Sequence, residues 1–139
     1  MKKLKYLVFA LVLLAMTETA EAKRVSANHM YMFGFSASFN DSVLYITDIQ
    51  DVQGAWYDTK NGSLHGRENY SYQLKTYLEE KKGKSNRVCL VIFATTKKKA
   101  EKKYAKLKKK YAGKDGIIYG LEYLKADEFK FEVVDFSEE

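Results

Sequence analysis

The stretch RVCLVIFATTKKKAEKKYAKLKKKYAG, residues 87–113, carries the reading that decides the fold. Arg87–Ala94 is an apolar run without polar alternation, which predicts a strand lying centrally in its sheet and covered on at least one side. Thr95-Thr96 then offers an N-cap for a helix over Lys97–Ala112. Ala100, Tyr104, Leu107 and Tyr111 recur at spacings of 4, 3 and 4, the stripe of an amphipathic helix. Gly113 and Gly116 end it. Two further strands are predicted at Ile117–Leu124 and Phe129–Phe136, joined by the turn Lys125-Ala126-Asp127-Glu128. A strand–helix–strand step implies a right-handed crossover and hence a partly parallel pair.

Upstream, Met30–Phe39 and Ser42–Ile49 read as a hairpin around Asn40-Asp41. A tight turn there pairs Ala37 with Leu44, Phe35 with Ile46 and Phe33 with Asp48. One face then carries Phe33, Phe35, Ala37, Leu44 and Ile46, and the other Met32, Gly34, Ser36, Ser38, Val43, Tyr45 and Thr47. That is the pattern of a sheet with one buried face. Asp51–Gly66 reads as a loop. A helix is expected over Asn69–Lys82, with Tyr70, Leu74, Tyr77 and Leu78 on one side, Asn69 as cap and Gly83 as stop. The order β-β-α-β-α-β-β describes an α+β, two-layer sandwich: a mixed sheet of about five strands with both helices on one face.

Residues 1–22 read as a cleaved signal peptide, followed by a single globular domain over 23–139. Lys2, Lys3 and Lys5 precede an eleven-residue apolar run, Tyr6–Met16, and Ala20-Glu21-Ala22 suits a signal peptidase. Eleven residues rise only ~16 Å as a helix, against a hydrocarbon core of ~30 Å. No Cys follows the run, which excludes a lipoprotein anchor. The expectation is an exported, soluble bacterial protein, periplasmic or secreted. In that setting the single Cys89, flanked by Val88 and Leu90–Phe93, reads as a small buried hydrophobe rather than a nucleophile. With 46% hydrophobic residues, no Pro and one Cys among 139 residues, the chain is neither disordered, collagen-like nor disulfide-stapled.

The formal charge of +6 is uneven. Lys97–Lys110 holds nine Lys and one acidic residue, Glu101, for +8, and the remainder of 23–139 sums to −3. Lys98, Lys99, Lys102, Lys106 and Lys109 form a candidate patch for an anionic surface, against the plainer account of a solubilising helix face. Nucleic acid is disfavoured, because the helix has no Arg fork and its two Tyr lie on the core stripe.

No HExxH, CxxC, GxSxG, P-loop or GxGxxG pattern occurs; neither cofactor nor metal is expected. The best enzyme-like constellation is Asp48, Asp51, His65, Arg67 and Glu68, since a carboxylate–His pair within hydrogen-bond reach does general acid–base work. It supports a competing reading as a small periplasmic hydrolase using the Asp48/His65/Arg67 region. The same segment carries Trp56, Tyr57, Asn61, His65, Arg67, Asn69, Tyr70 and Tyr72, the mixture of flat rings and planar polar groups found at glycan and peptide sites. Of these, Trp56, Tyr57, His65, Arg67 and Tyr70 are the candidate binding residues; the alternative is that Trp56 and Tyr70 cap the core. The tripeptides at Asn40, Asn61 and Asn69 that match a glycosylation acceptor read as turn and cap chemistry.

Residues Arg87–Tyr111, a buried strand running into a Lys/Ala-rich helix and then a Gly turn, resemble half of a SPOR peptidoglycan-binding domain. That family's order is β-α-β-β-α-β; the hairpin before the first helix departs from it, so no site residue is carried over. The expectation is a non-enzymatic binding or interaction module of the bacterial envelope, whose partner is an anionic envelope polymer, a glycan or a protein.

Overall fold

The computed structural model describes residues 23–111 and 119–138. Its elements are β1 (Arg24–Ser26), β2 (Tyr31–Ala37), β3 (Val43–Thr47), β4 (Gln50–Asp51), β5 (Trp56–Asp58), α1 (Arg67–Lys82), β6 (Val88–Ala94), α2 (Lys97–Lys110) and β7 (Gly120–Leu124). The α+β class, the mixed sheet and the order of the main elements stand as the sequence reads them. Strand β2 is the hub. It pairs antiparallel with β6 along its whole length and with β3 and β4 on its other side, while β7 runs parallel to β3. A separate two-stranded ribbon joins β1 to β5, and β5 lies within the Asp51–Gly66 stretch expected to be loop.

The hairpin register is the expected one, with Phe35 opposite Ile46. It does not persist to Phe33 and Asp48. Beyond Thr47 the pairing becomes Met32 with Gln50 and Tyr31 with Asp51, one residue out of step, so Asp48 and Ile49 enclose a β-bulge. The Gly34 amide, opposite the bulge, donates to Thr47 Oγ1 at 2.8 Å.

The helices occupy opposite faces of the sheet, which corrects the two-layer expectation with both helices on one face. Helix α1 lays Tyr70, Leu74 and Leu78 on the face of Met32, Tyr45 and Val91. It sits so close that a Cβ on Gly34 would meet Leu74 Cδ2 at 2.6 Å. Helix α2 covers the other face, where Tyr104 packs edge-on against Phe33 and Tyr111 stacks on Phe35. The reason lies in the hairpin: Met32, Phe33, Phe35, Leu44, Tyr45 and Ile46 are all buried, so both faces of the pleat need a cover.

Three further expectations change. Strand β6 is an edge strand, pairing only with β2 among the described residues; each of its faces meets a different helix, although Val88 and Leu90 stay about half exposed. Helix α1 begins two residues earlier than Asn69, with Gly66 in the left-handed region as its cap and no side-chain cap. Gly83 closes it as expected, at φ 64°. Finally, Phe129–Phe136 forms no strand. Phe129 and Phe131 enter the core beside α1, and side-chain amides take the place of a neighbouring strand. Gln50 accepts from the Phe131 amide at 2.8 Å and donates to the Phe129 carbonyl at 2.9 Å; Gln73 brackets Glu132 in the same way. The expected helix-ending glycines, Gly113 and Gly116, and the first residues of the Ile117–Leu124 strand lie outside the described residues.

Candidate functional site

Helix α2 is capped by Thr96, whose side chain accepts from the Lys99 amide at 3.3 Å, and it buries Ala100. At about 100° per residue, Lys98, Lys102 and Lys109 point away from that buried stripe, with Lys106 and Lys99 beside them. All five are exposed. Lys103, Lys108 and Lys110 lie over neighbouring rings. Lys108 lies over the rings of Tyr104 and Tyr123, and Lys103 donates to the Phe93 carbonyl at 2.9 Å and lies over its ring. The patch is therefore a continuous cationic face on an outer layer.

The aromatic loop is largely spent on the chain's own C-terminal segment. A hydrogen bond from Trp56 joins the contacts from Ser137 in holding the Asp135 carboxyl below its ordinary range, the Ser137 amide being the largest cause. The Phe136 ring meets His65 edge-on, centroids 4.1 Å apart, and sits where a Cβ on Gly66 would be, 2.5 Å away. Tyr57 pairs with Val25 in the small ribbon. Tyr70 is fully buried, and its hydroxyl accepts from the Val134 amide at 3.0 Å. Its ring belongs to the core and offers no face to a ligand.

The enzyme-like residues are spread over different elements. Asp48 accepts from the Ala126 amide at 3.1 Å, beside β7, whereas Arg67 donates to the Val91 carbonyl at 2.9 Å on β6. With β2 and β3 between β6 and β7, these two lie at opposite edges of the sheet. His65 contacts Phe136 and Arg24. Asp51 and His29 do form a carboxylate–imidazole pair, at 2.7 Å on the surface. The pairing of Tyr31 with Asp51 brings it about, since His29 is one pleat from Tyr31 and stacks on it. Among the described residues no Ser, Thr or Cys is hydrogen-bonded to His29, and no cluster of three metal-ligating side chains occurs.

An open cleft of about 420 Å³ runs between α1 and β6, lined among others by Arg67, Glu68, Tyr72, Lys75, Arg87 and Cys89. Composition alone gives no hint of it. Arg87 is buried and engaged on several sides, donating to Ser36 Oγ at 3.0 Å, to both Asp41 oxygens and to the Val43 carbonyl, with Tyr45 under its guanidinium. Cys89 is half-buried, its thiol against Ser36 Oγ. Burial raises its pKa, outweighing the Ser36 hydrogen bond and the nearby cations. Less thiolate is thus present at any given pH than on a free cysteine. At pH 7 the folded protein should react with a disulfide reagent at least severalfold more slowly than in urea; a faster folded-state rate would mean an activated thiol.

No helix among the described residues is long and apolar enough to cross a membrane. Compared with known proteins, the chain matches no family model, no curated protein and no solved structure.

Proposed function

We propose that this chain is an exported, non-enzymatic binding module that holds to an anionic polymer of the bacterial envelope through the lysine face of α2. The observation that carries the reading is the geometry of that face. Lys98, Lys99, Lys102, Lys106 and Lys109 are exposed together on the side of α2 opposite its buried stripe, on a body whose remaining charge is slightly negative. Clustered ammonium groups raise the local potential and the on-rate for polyanions without demanding one ligand geometry. Export is supported by the basic start, short apolar run and Ala-Glu-Ala ending of residues 1–22. The non-enzymatic reading is supported by the separation of Asp48 from Arg67 and by the raised pKa of Cys89.

The test is retention on insoluble cell-wall material at low salt. The triple variant Lys102→Glu, Lys106→Glu, Lys109→Glu should lose retention at least tenfold, and the parent should elute as salt rises. Unchanged retention by a variant that remains folded would leave the lysines as solubilising surface and overturn the reading.

A further inference from the structure

We infer that the outer edge of β6 is a docking site for an extended acidic segment of another protein, which adds to the sheet as one more strand. In an antiparallel ladder the residues of one strand point their N–H and C=O groups alternately to either side. The carbonyls of Val91 and Phe93 accept from side chains rather than from β2, so Cys89, Val91 and Phe93 face outward. No described residue accepts from their three amides.

The edge is apolar on the α2 face, and on the α1 face Arg67, Lys75 and Arg87 outnumber the single carboxylate, Glu68, in the cleft. Val88 and Leu90 are 47% and 48% exposed on the α2 face, which α2 leaves uncovered because its rings lie on Phe33, Phe35 and Tyr119. On the opposite face the cleft beside α1 opens along the same strand. Arg67 from α1 and Lys103 from α2 converge on Phe93 from the two sides, each over its ring and each occupying an outward carbonyl. Those two cations cover the edge while it is empty. An incoming strand supplies backbone N–H groups for the carbonyls of Val91 and Phe93, and the released cations pair with its carboxylates. Edge pairing supplies the affinity, and the flanking side chains choose the sequence.

Charge selects the occupant. A second copy pairing through β6 would set Arg67 and Lys103 against their own duplicates, whereas an acidic strand with alternate apolar residues satisfies both the cations and the exposed Val88 and Leu90. This site is separate from the outward lysine face of α2, and its partner is a protein rather than an envelope polymer.

The test uses the purified protein and a synthetic nonapeptide alternating Glu with Val and Thr. On binding, hydrogen exchange at the amides of Cys89, Val91 and Phe93 should slow at least tenfold. N-methylating the peptide in one of its two alternating frames should weaken binding at least tenfold, and in the other frame should not. The pair Arg67→Gln, Lys103→Gln should weaken binding severalfold, while the triple variant at Lys102, Lys106 and Lys109 should bind as the parent does. The inference is overturned if the peptide does not bind, or if both N-methylated frames bind like the parent peptide. It is overturned too if the three amides become protected with rising protein concentration and no peptide, which would identify a second copy as occupant.

Discussion

Replacing Arg87 with Met should lower the unfolding free energy by about 3 kcal/mol and shift the thermal midpoint by on the order of 10 °C. Arg87 is only 5% exposed, and its guanidinium ties the first residues of β6 to the β2–β3 hairpin. Methionine keeps much of the aliphatic stem but removes every donor. Ser36 Oγ and the Val43 carbonyl then lose the charged partner that satisfies them, and the Tyr45 ring loses the cation above it. Asp41 adds little to this figure, because its carboxylate is well exposed and screened by water. The check is urea unfolding of the parent, Arg87→Met and Arg87→Lys. Lysine restores a charge but not the fork, so it should recover only part of the loss. A Met variant within about 0.5 kcal/mol of the parent would show that the clamp is ornamental.

The same variant has a pH signature. The Asp41 carboxyl is held below its ordinary range first by the Val43 amide and then by Arg87. A depressed folded-state pKa stabilises the fold above the unfolded value, and the gain is lost as pH falls through the folded one. For the parent, stability should fall as pH drops below about 4, the usual carboxylate range. In Arg87→Met the Val43 hydrogen bond remains but the guanidinium does not, so the fall below that pH should be shallower.

How much of this was legible in the sequence depends on whether the cause was local. The hairpin register followed from Asn40-Asp41 and the alternation around it, and the limits of α2 from Thr96 and the Ala100–Tyr111 stripe. The lysine face needed only the helical period. Whether α1 and α2 share a layer was not legible, because period-2 alternation says which residues share a face and not which helix covers it. The edge position of β6 was hidden for a related reason: a strand between two helices is as apolar as a central one. Arg87 carried a weak signal, a lone cation heading an apolar run. The contacts of Trp56 with Asp135 and of His65 with Phe136 were not legible, because the partners lie some 70 residues away in sequence.

The bulge at Asp48 and Ile49 was the least legible feature, and it underlies the other large effect expected. Before it, even-numbered residues of the 43–51 stretch face α2, as Leu44 and Ile46 do. One extra residue reverses the parity, so Gln50, paired with Met32, turns toward α1 and into the core at 7% exposure. There its amide serves as a one-residue strand for Phe129–Phe131. Gln50→Leu, similar in volume and without polar atoms, should leave the Phe131 N–H and the Phe129 carbonyl unpaired beside buried rings. At about 1–3 kcal/mol for each stranded group, the expected loss is about 3 kcal/mol in urea unfolding, and exchange at the Phe131 amide should accelerate at least tenfold. Gln73→Leu is the control. It breaks the equivalent pair of bonds to Glu132, but those groups are exposed and water replaces the amide, so the cost should stay below about 1 kcal/mol. Equal losses at the two glutamines would mean that the bonds act through chain ordering and not through burial. A large loss at Gln50 alone would make the bulge the feature that fixes the C-terminal segment, and with it Phe136 against Gly66 and Asp135 beneath Trp56.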